Sequence, residues 1–85
     1  MENTAAVLDI PLAPPAVRSG RVRLLRAGPA LWRVATPDGR VRGHVRAVDH
    51  ELGRRYRAER LNAVTGRFVV FGEFWNADDA VAVLR

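Results

Sequence analysis

Arg42, His44 and Arg46 alternate along one run of the chain, Arg55, Arg57 and Glu59 along the next, and Arg33 stands in the run before them. A spacing of two puts such residues on one face of a strand. The guanidinium group is always ionised and offers a planar fork of donors matched to phosphate and carboxylate, so the chemistry in view is recognition of an anion. All fourteen basic residues are arginine, and thirteen fall between Arg18 and Arg67. Against them stand only Asp38, Asp49, Glu51 and Glu59, which leaves the middle of the chain at +9 and each flank at −2. A coding sequence rich in G and C accounts for arginine in place of lysine. It does not account for where the arginines sit.

Other chemistry is poorly provided for. His44 and His50 are the two histidines, and although Asp49 and Glu51 adjoin His50, neighbouring residues in a turn seldom converge on one metal. Ser19 has no base near it in sequence, cysteine is absent, and no glycine-rich phosphate loop occurs. Asp78 and Asp79 are accounted for by a helix start. The expectation is therefore a non-catalytic protein with no cofactor, no metal and no small-molecule substrate.

The elements that must position the arginines are short strands. From Arg21 onward, apolar runs alternate with turn residues, as in an antiparallel sheet. Strands are expected over 21–26, 31–36, 41–48, 54–61 and 67–71, with Pro37-Asp38-Gly39 as a turn in which proline presets φ and glycine takes a positive one. Trp32, Val34, Val41, Gly43, Val45, Ala47, Tyr56, Ala58 and Phe68 are assigned to the apolar face. Arg33, Arg42, His44, Arg46, Arg55, Arg57 and Glu59 are assigned to the other. Asn76 is a suitable N-cap with Asp79 at capping-box distance, and Ala77, Ala80, Val81 and Leu84 recur at helical spacing. That helix should lie on the apolar face, leaving the arginine face uncovered. Phe74 is expected in the core, and Trp75 is open between core packing and an outward stacking surface.

The predicted class is α+β: an antiparallel sheet of four or five strands with one C-terminal helix on one face. Residues 1–20, with Pro11, Pro14 and Pro15, read as a flexible arm, and 21–85 as one small domain. Residues 1–17 have neither a basic n-region nor a long apolar run, so an intracellular, cytoplasmic protein without a membrane partner is expected.

On the arginine face, same-side pairing across the turn at 49–53 sets Arg46 opposite Arg55 or Arg57, and Glu59 opposite Arg42 or His44. Like charges facing each other across a ladder cost a few tenths of a kcal/mol, roughly the inverse of the ~0.2–1 kcal/mol gained by favourable pairs. A phosphate backbone would relieve them. Charged open faces are also common on small sheets, where arginine stems simply cover apolar surface.

The segment Gly72-Glu73-Phe74-Trp75-Asn76-Ala77-Asp78-Asp79-Ala80, together with Tyr56-Arg57-Ala58, resembles the strand-to-helix junction of two sheet-type DNA-binding families. These are the plant ethylene-response-factor domains and the arm-type domains of tyrosine integrases. The resemblance covers about Val41 to Arg85; it implies a sheet whose helix-free face enters the major groove, with DNA contacts on Arg42, His44, Arg46, Arg55 and Arg57 and packing roles for Gly72, Phe74 and Ala80. The chain differs in having additional strands before Val41 and a shorter helix. The sequence thus points to a nucleic-acid-binding module, DNA in preference to RNA, with contacts on Arg33, Arg42, His44, Arg46, Arg55 and Arg57. An adaptor engaging an acidic protein surface is the alternative, and self-association through the sheet is a third.

Overall fold

A computed structural model describes residues 10–18 and 20–85. Five strands, β1 (Arg23–Gly28), β2 (Leu31–Ala35), β3 (Val41–His50), β4 (Gly53–Asn62) and β5 (Arg67–Phe74), precede one helix, α1 (Ala77–Ala82). Each strand pairs antiparallel with the next, so sheet order follows chain order as an up-and-down meander. This is the expected α+β fold.

The helix forms where the cap dictates. The Asn76 side chain accepts a hydrogen bond from the Asp79 backbone N–H at 2.9 Å, and Asp78 and Asp79 place negative charge in the first turn, where it suits the helix dipole. Ala80, Val81 and Leu84 are buried against Val34, Val45 and Ala58, with Tyr56 and Phe74 packed alongside, and Ala77 is buried as well. Four of the expected inward strand positions therefore meet three of the four expected helix positions, and the fourth, Ala77, is buried. Phe74 lies on the core side, as anticipated.

Register shifts alter two assignments. In the β2–β3 ladder Val34 faces Gly43 but Ala35 faces Val41, so Arg42 is an extra residue and Val41 no longer shares a face with Val45. Val41 is exposed, not part of the core. In the β4–β5 ladder Ala58 faces Gly72 but Glu59 faces Val70, which makes Phe71 the extra residue. Counting back through that bulge, Phe68 and Val70 lie on the arginine face. The assignment of Phe68 to the core face is corrected accordingly.

Gly43 shows why a bulge is tolerated here. A Cβ at this position would lie 2.7 Å from both the Glu59 carbonyl oxygen and a Leu84 methyl, so the missing side chain is the space that Leu84 occupies.

Of the segment expected to be a flexible arm, residues 10–18 touch the domain at both ends. The Leu12 N–H donates to the Pro29 carbonyl, the Arg26 guanidinium donates to the Leu12 carbonyl, the Arg18 N–H donates to Asp78 at 2.7 Å, and Val17 packs on the core. Residues 1–9 and Ser19 lie outside the described residues. No helix among the described residues is long and apolar enough to cross a membrane.

Candidate nucleic-acid interface

The helix-free face is organised in rows set by strand register. One row runs Leu25, Arg33, His44, Glu59, Val70; the next runs Leu31, Arg46, Arg57, Glu73; and Val48 with Arg55 begins a third. Arg33, His44, Arg46, Arg55 and Arg57 are thus brought together on one face. Arg42 is not in the rows: it is the bulged residue, exposed, beside the β2–β3 turn.

Arg46 and Arg57 face each other directly, the like-charge pairing anticipated from alternation. The structure relieves it internally. Glu59, only 2% exposed, accepts from Arg46 Nε at 2.9 Å and Nη2 at 3.0 Å, and Arg57 Nη1 stands 3.9 Å from the same carboxylate. Arg57 Nε in turn donates to Glu73 at 2.7 Å, and His50 Nε2 lies 3.0 Å from that residue's other oxygen. The Arg57 guanidinium, with His50 in support, holds the Glu73 carboxyl below its usual range. Glu73 was not assigned to this face from the sequence. The signal was present in the expected inward position of Phe74, since the residue beside it in a strand points to the opposite face.

His44 is not a surface cation. It is 7% exposed, edge-on to Phe68 with ring centroids 5.1 Å apart, and desolvation first, then the nearby Arg33 charge, lowers its pKa below 6.5. At neutral pH the imidazole is uncharged, so it packs the face and adds nothing to its charge. Linkage gives a test. A proton bound near pH 6.5 by the unfolded imidazole but not the folded one favours unfolding, so stability should fall as pH drops below about 6.5 and stop falling, for this group, below the folded pKa. Urea midpoints for wild type and His44→Gln across about pH 5 to 8 measure it; the variant should lose this part of the slope.

Two arginines on the face keep their charge unpaired. Neither Arg33 nor Arg55 has a carboxylate within ion-pair reach among the described residues. The Arg55 guanidinium stacks 3.9 Å over the Trp75 ring, and Trp75 is 56% exposed, which settles its orientation as outward. Phe68 carries Arg46 at 5.5 Å and is itself partly exposed. Among the described residues, Arg33, Arg46, Arg55 and Arg57 against Glu59 and Glu73 leave these rows two charges positive, interleaved with aromatic rings.

Arginines off this face are not idle surface either. Arg60, on the core side of β4, donates to the carbonyls of Arg42, Leu84 and Arg85 at 3.0–3.1 Å, tying the end of the helical segment to the sheet, and lies over Phe71. Around this corner an open cleft of about 1320 Å³ is bordered by Arg21, Arg40, Arg42, Arg60 and Arg85, with Asp38 as its only carboxylate side chain. Arg33 and His44 also border it, so the cleft continues the arginine face around the end of the sheet. Asp38 is engaged by the Thr36 hydroxyl, which chiefly lowers its pKa, and by the exposed Arg40 at 3.6 Å. Among the described residues no group of three or more His, Cys, Asp or Glu side chains could hold a metal.

No protein-family model matches the chain, and no curated protein or solved structure matches it significantly.

Proposed function

We propose that this chain is a non-catalytic nucleic-acid-binding module, DNA in preference to RNA, that lays its uncovered sheet face against the phosphate backbone. The observation that carries this reading is the state of the charges on that face. Glu59 and Glu73 are already engaged by Arg46 and Arg57, so among the described residues Arg33 and Arg55 retain uncompensated charge beside the exposed rings of Phe68 and Trp75. Arginine supplies the electrostatic attraction, and a partly exposed ring supplies a surface on which a base can stack. The resemblance of Val41 to Arg85 to sheet-type DNA-binding domains supports the same use of the helix-free face. Within it, the contacts fall to Arg33 and Arg55, with Arg42 at the rim leading into the arginine cleft, while Arg46 and Arg57 act mainly within the ion-pair network.

The test is a salt titration of binding to duplex DNA. Each phosphate contact contributes about −0.9 to the slope of log K against log salt on B-DNA, so Arg33→Ala with Arg55→Ala should flatten the slope by about two and weaken binding most at low salt. Binding that ignores salt, or a wild-type protein that fails to bind at low salt, sinks the reading.

A second reading, an adaptor engaging an acidic protein surface, is favoured by one observation: β5 is a sheet edge with four consecutive exposed apolar residues, Phe68 to Phe71. Purification separates the two. A nucleic-acid binder carries absorbance at 260 nm until high salt strips it, whereas an adaptor retains a defined protein.

A further inference from the structure

The two edges of the sheet are built differently. β1 carries Arg23 and Arg26, contains a register shift after Arg26, and has the Arg26 side chain folded back onto the Gly28, Pro29 and Leu12 carbonyls. Charge and irregularity of this kind keep an edge from pairing with another strand. β5 is bulged only at Phe71 and carries no charge between Arg67 and Glu73. Phe68, Val69, Val70 and Phe71 are 39–52% exposed, without proline or charge among them, and β5 is bonded on one side only.

We propose that the chain pairs with a second copy of itself along β5, antiparallel and centred on Val69, forming one continuous ten-stranded sheet. Side-chain parity requires a register centred on a residue, and centring on Val69 sets the apolar run Phe68–Val70 against itself. Phe68 and Val70 lie on the arginine face, Val69 and Phe71 on the core face, and residues opposed across an antiparallel ladder must share a face. Centring on Val69 meets that condition: Val69 opposes its symmetry mate, Phe68 opposes Val70, and Arg67 opposes Phe71. No like charges face each other. Arg67 has no carboxylate partner among the described residues, and across the seam it meets Phe71, a ring that also carries Arg60 at 5.0 Å. A two-fold interface requires self-complementarity of this sort, each copy presenting the uncharged run Phe68–Val70 to the same run of the other. The axis stands perpendicular to the sheet, so both arginine faces look the same way and form one longer surface. The seam is narrow beside the ~800 Å² per partner of a standard interface, so the association should be concentration-dependent.

Sedimentation equilibrium of the full chain, freed of nucleic acid by high salt, tests this. The native chain should pass from monomer to dimer with rising concentration; Val69→Lys should remain monomeric with an unchanged far-ultraviolet circular dichroism spectrum, and Leu25→Lys on the β1 edge should still dimerise. A native chain that stays monomeric throughout overturns the proposal and leaves β5 to a foreign strand. So does a Val69→Lys protein that dimerises like wild type. If Val69→Lys fails to fold, a single thiol decides, since the chain has no cysteine. With oxidised glutathione, Val69→Cys should form a disulfide-linked dimer faster than Val64→Cys, which sits fully exposed in the β4–β5 turn. Equal or reversed rates overturn the proposal. DNA binding by a strictly monomeric native chain would refute the dimer and leave the proposed function standing.

Discussion

Glu59→Gln is expected to destabilise the fold by about 2 kcal/mol and, in the molecules that remain folded, to tighten binding to DNA several-fold at low salt. The two effects have one origin. Glu59 is 2% exposed and accepts two hydrogen bonds from a single guanidinium, Arg46, while Arg57 stands across the ladder from Arg46. Glutamine keeps the shape and one acceptor but turns an N–H toward one of the Arg46 donors, and it removes the charge separating two opposed cations. Breaking a fully buried pair costs about 3–5 kcal/mol; the Arg46 side chain is about a third exposed, so water recovers part of that and the lower figure follows. Binding moves the other way because the face gains one positive charge and Arg46 is released toward solvent, which should steepen the salt slope by up to about 0.9. Urea denaturation and a DNA titration on the same preparation separate the two. If stability and affinity fall together, the arginine face is a structural network and not a binding surface.

That coupling was only half visible in the sequence. Alternation in β3 and β4 assigned Arg46 and Arg57 to one face and foresaw arginine opposite arginine, because register on a half-buried strand follows from which residues must be inside. The helix was legible for an equally local reason: Asn76, Asp79 and the spacing of Ala77, Ala80, Val81 and Leu84 all lie within nine residues. What alternation does not carry is its own interruption. A bulge at Arg42 turned Val41 away from the core, and another at Phe71 moved Phe68 to the arginine face, the face on which Glu73 meets Arg57. Each bulge adjoins a glycine, Gly43 or Gly72, at which a side chain would collide with Leu84 and the β4 backbone or with the Phe74 ring. Those collisions are tertiary facts. The glycines mark where parity fails, but the reason they are required lies forty residues away for Gly43. The neutral, buried state of His44 is of the same kind, since it depends on Phe68 crossing to its side of the sheet.

Leu84→Ala should be strongly destabilising, at about 3 kcal/mol, and its effect should reach the arginine face without touching it. The helix has only six residues, too few to be stable by its own hydrogen bonds, so packing has to hold it. Leu84 is fully buried, its methyl groups occupy the space left by Gly43, and its carbonyl is one of the three that Arg60 grips. Truncation removes the apolar contact and leaves a void walled by rigid β3 and β4 backbone, a site that collapses poorly and therefore sits in the range of about 2–5 kcal/mol for Leu→Ala. A domain of this length holds roughly 4–13 kcal/mol in total, so the loss is a large share of it. In thermal unfolding the midpoint should drop by about 12–24 °C. The consequence for the open face follows from the thinness of the sheet. Val45 and Ala58 stand under the helix while their neighbours His44, Arg46, Arg57 and Glu59 stand on the other side, so loosening one side of β3 and β4 frees the ion pairs on the other. Hydrogen exchange should show β3 and β4 amides losing protection along with those of the helix. Loss confined to the helix would mean that the sheet holds the arginine face in place unaided, and that the helix is not what positions it.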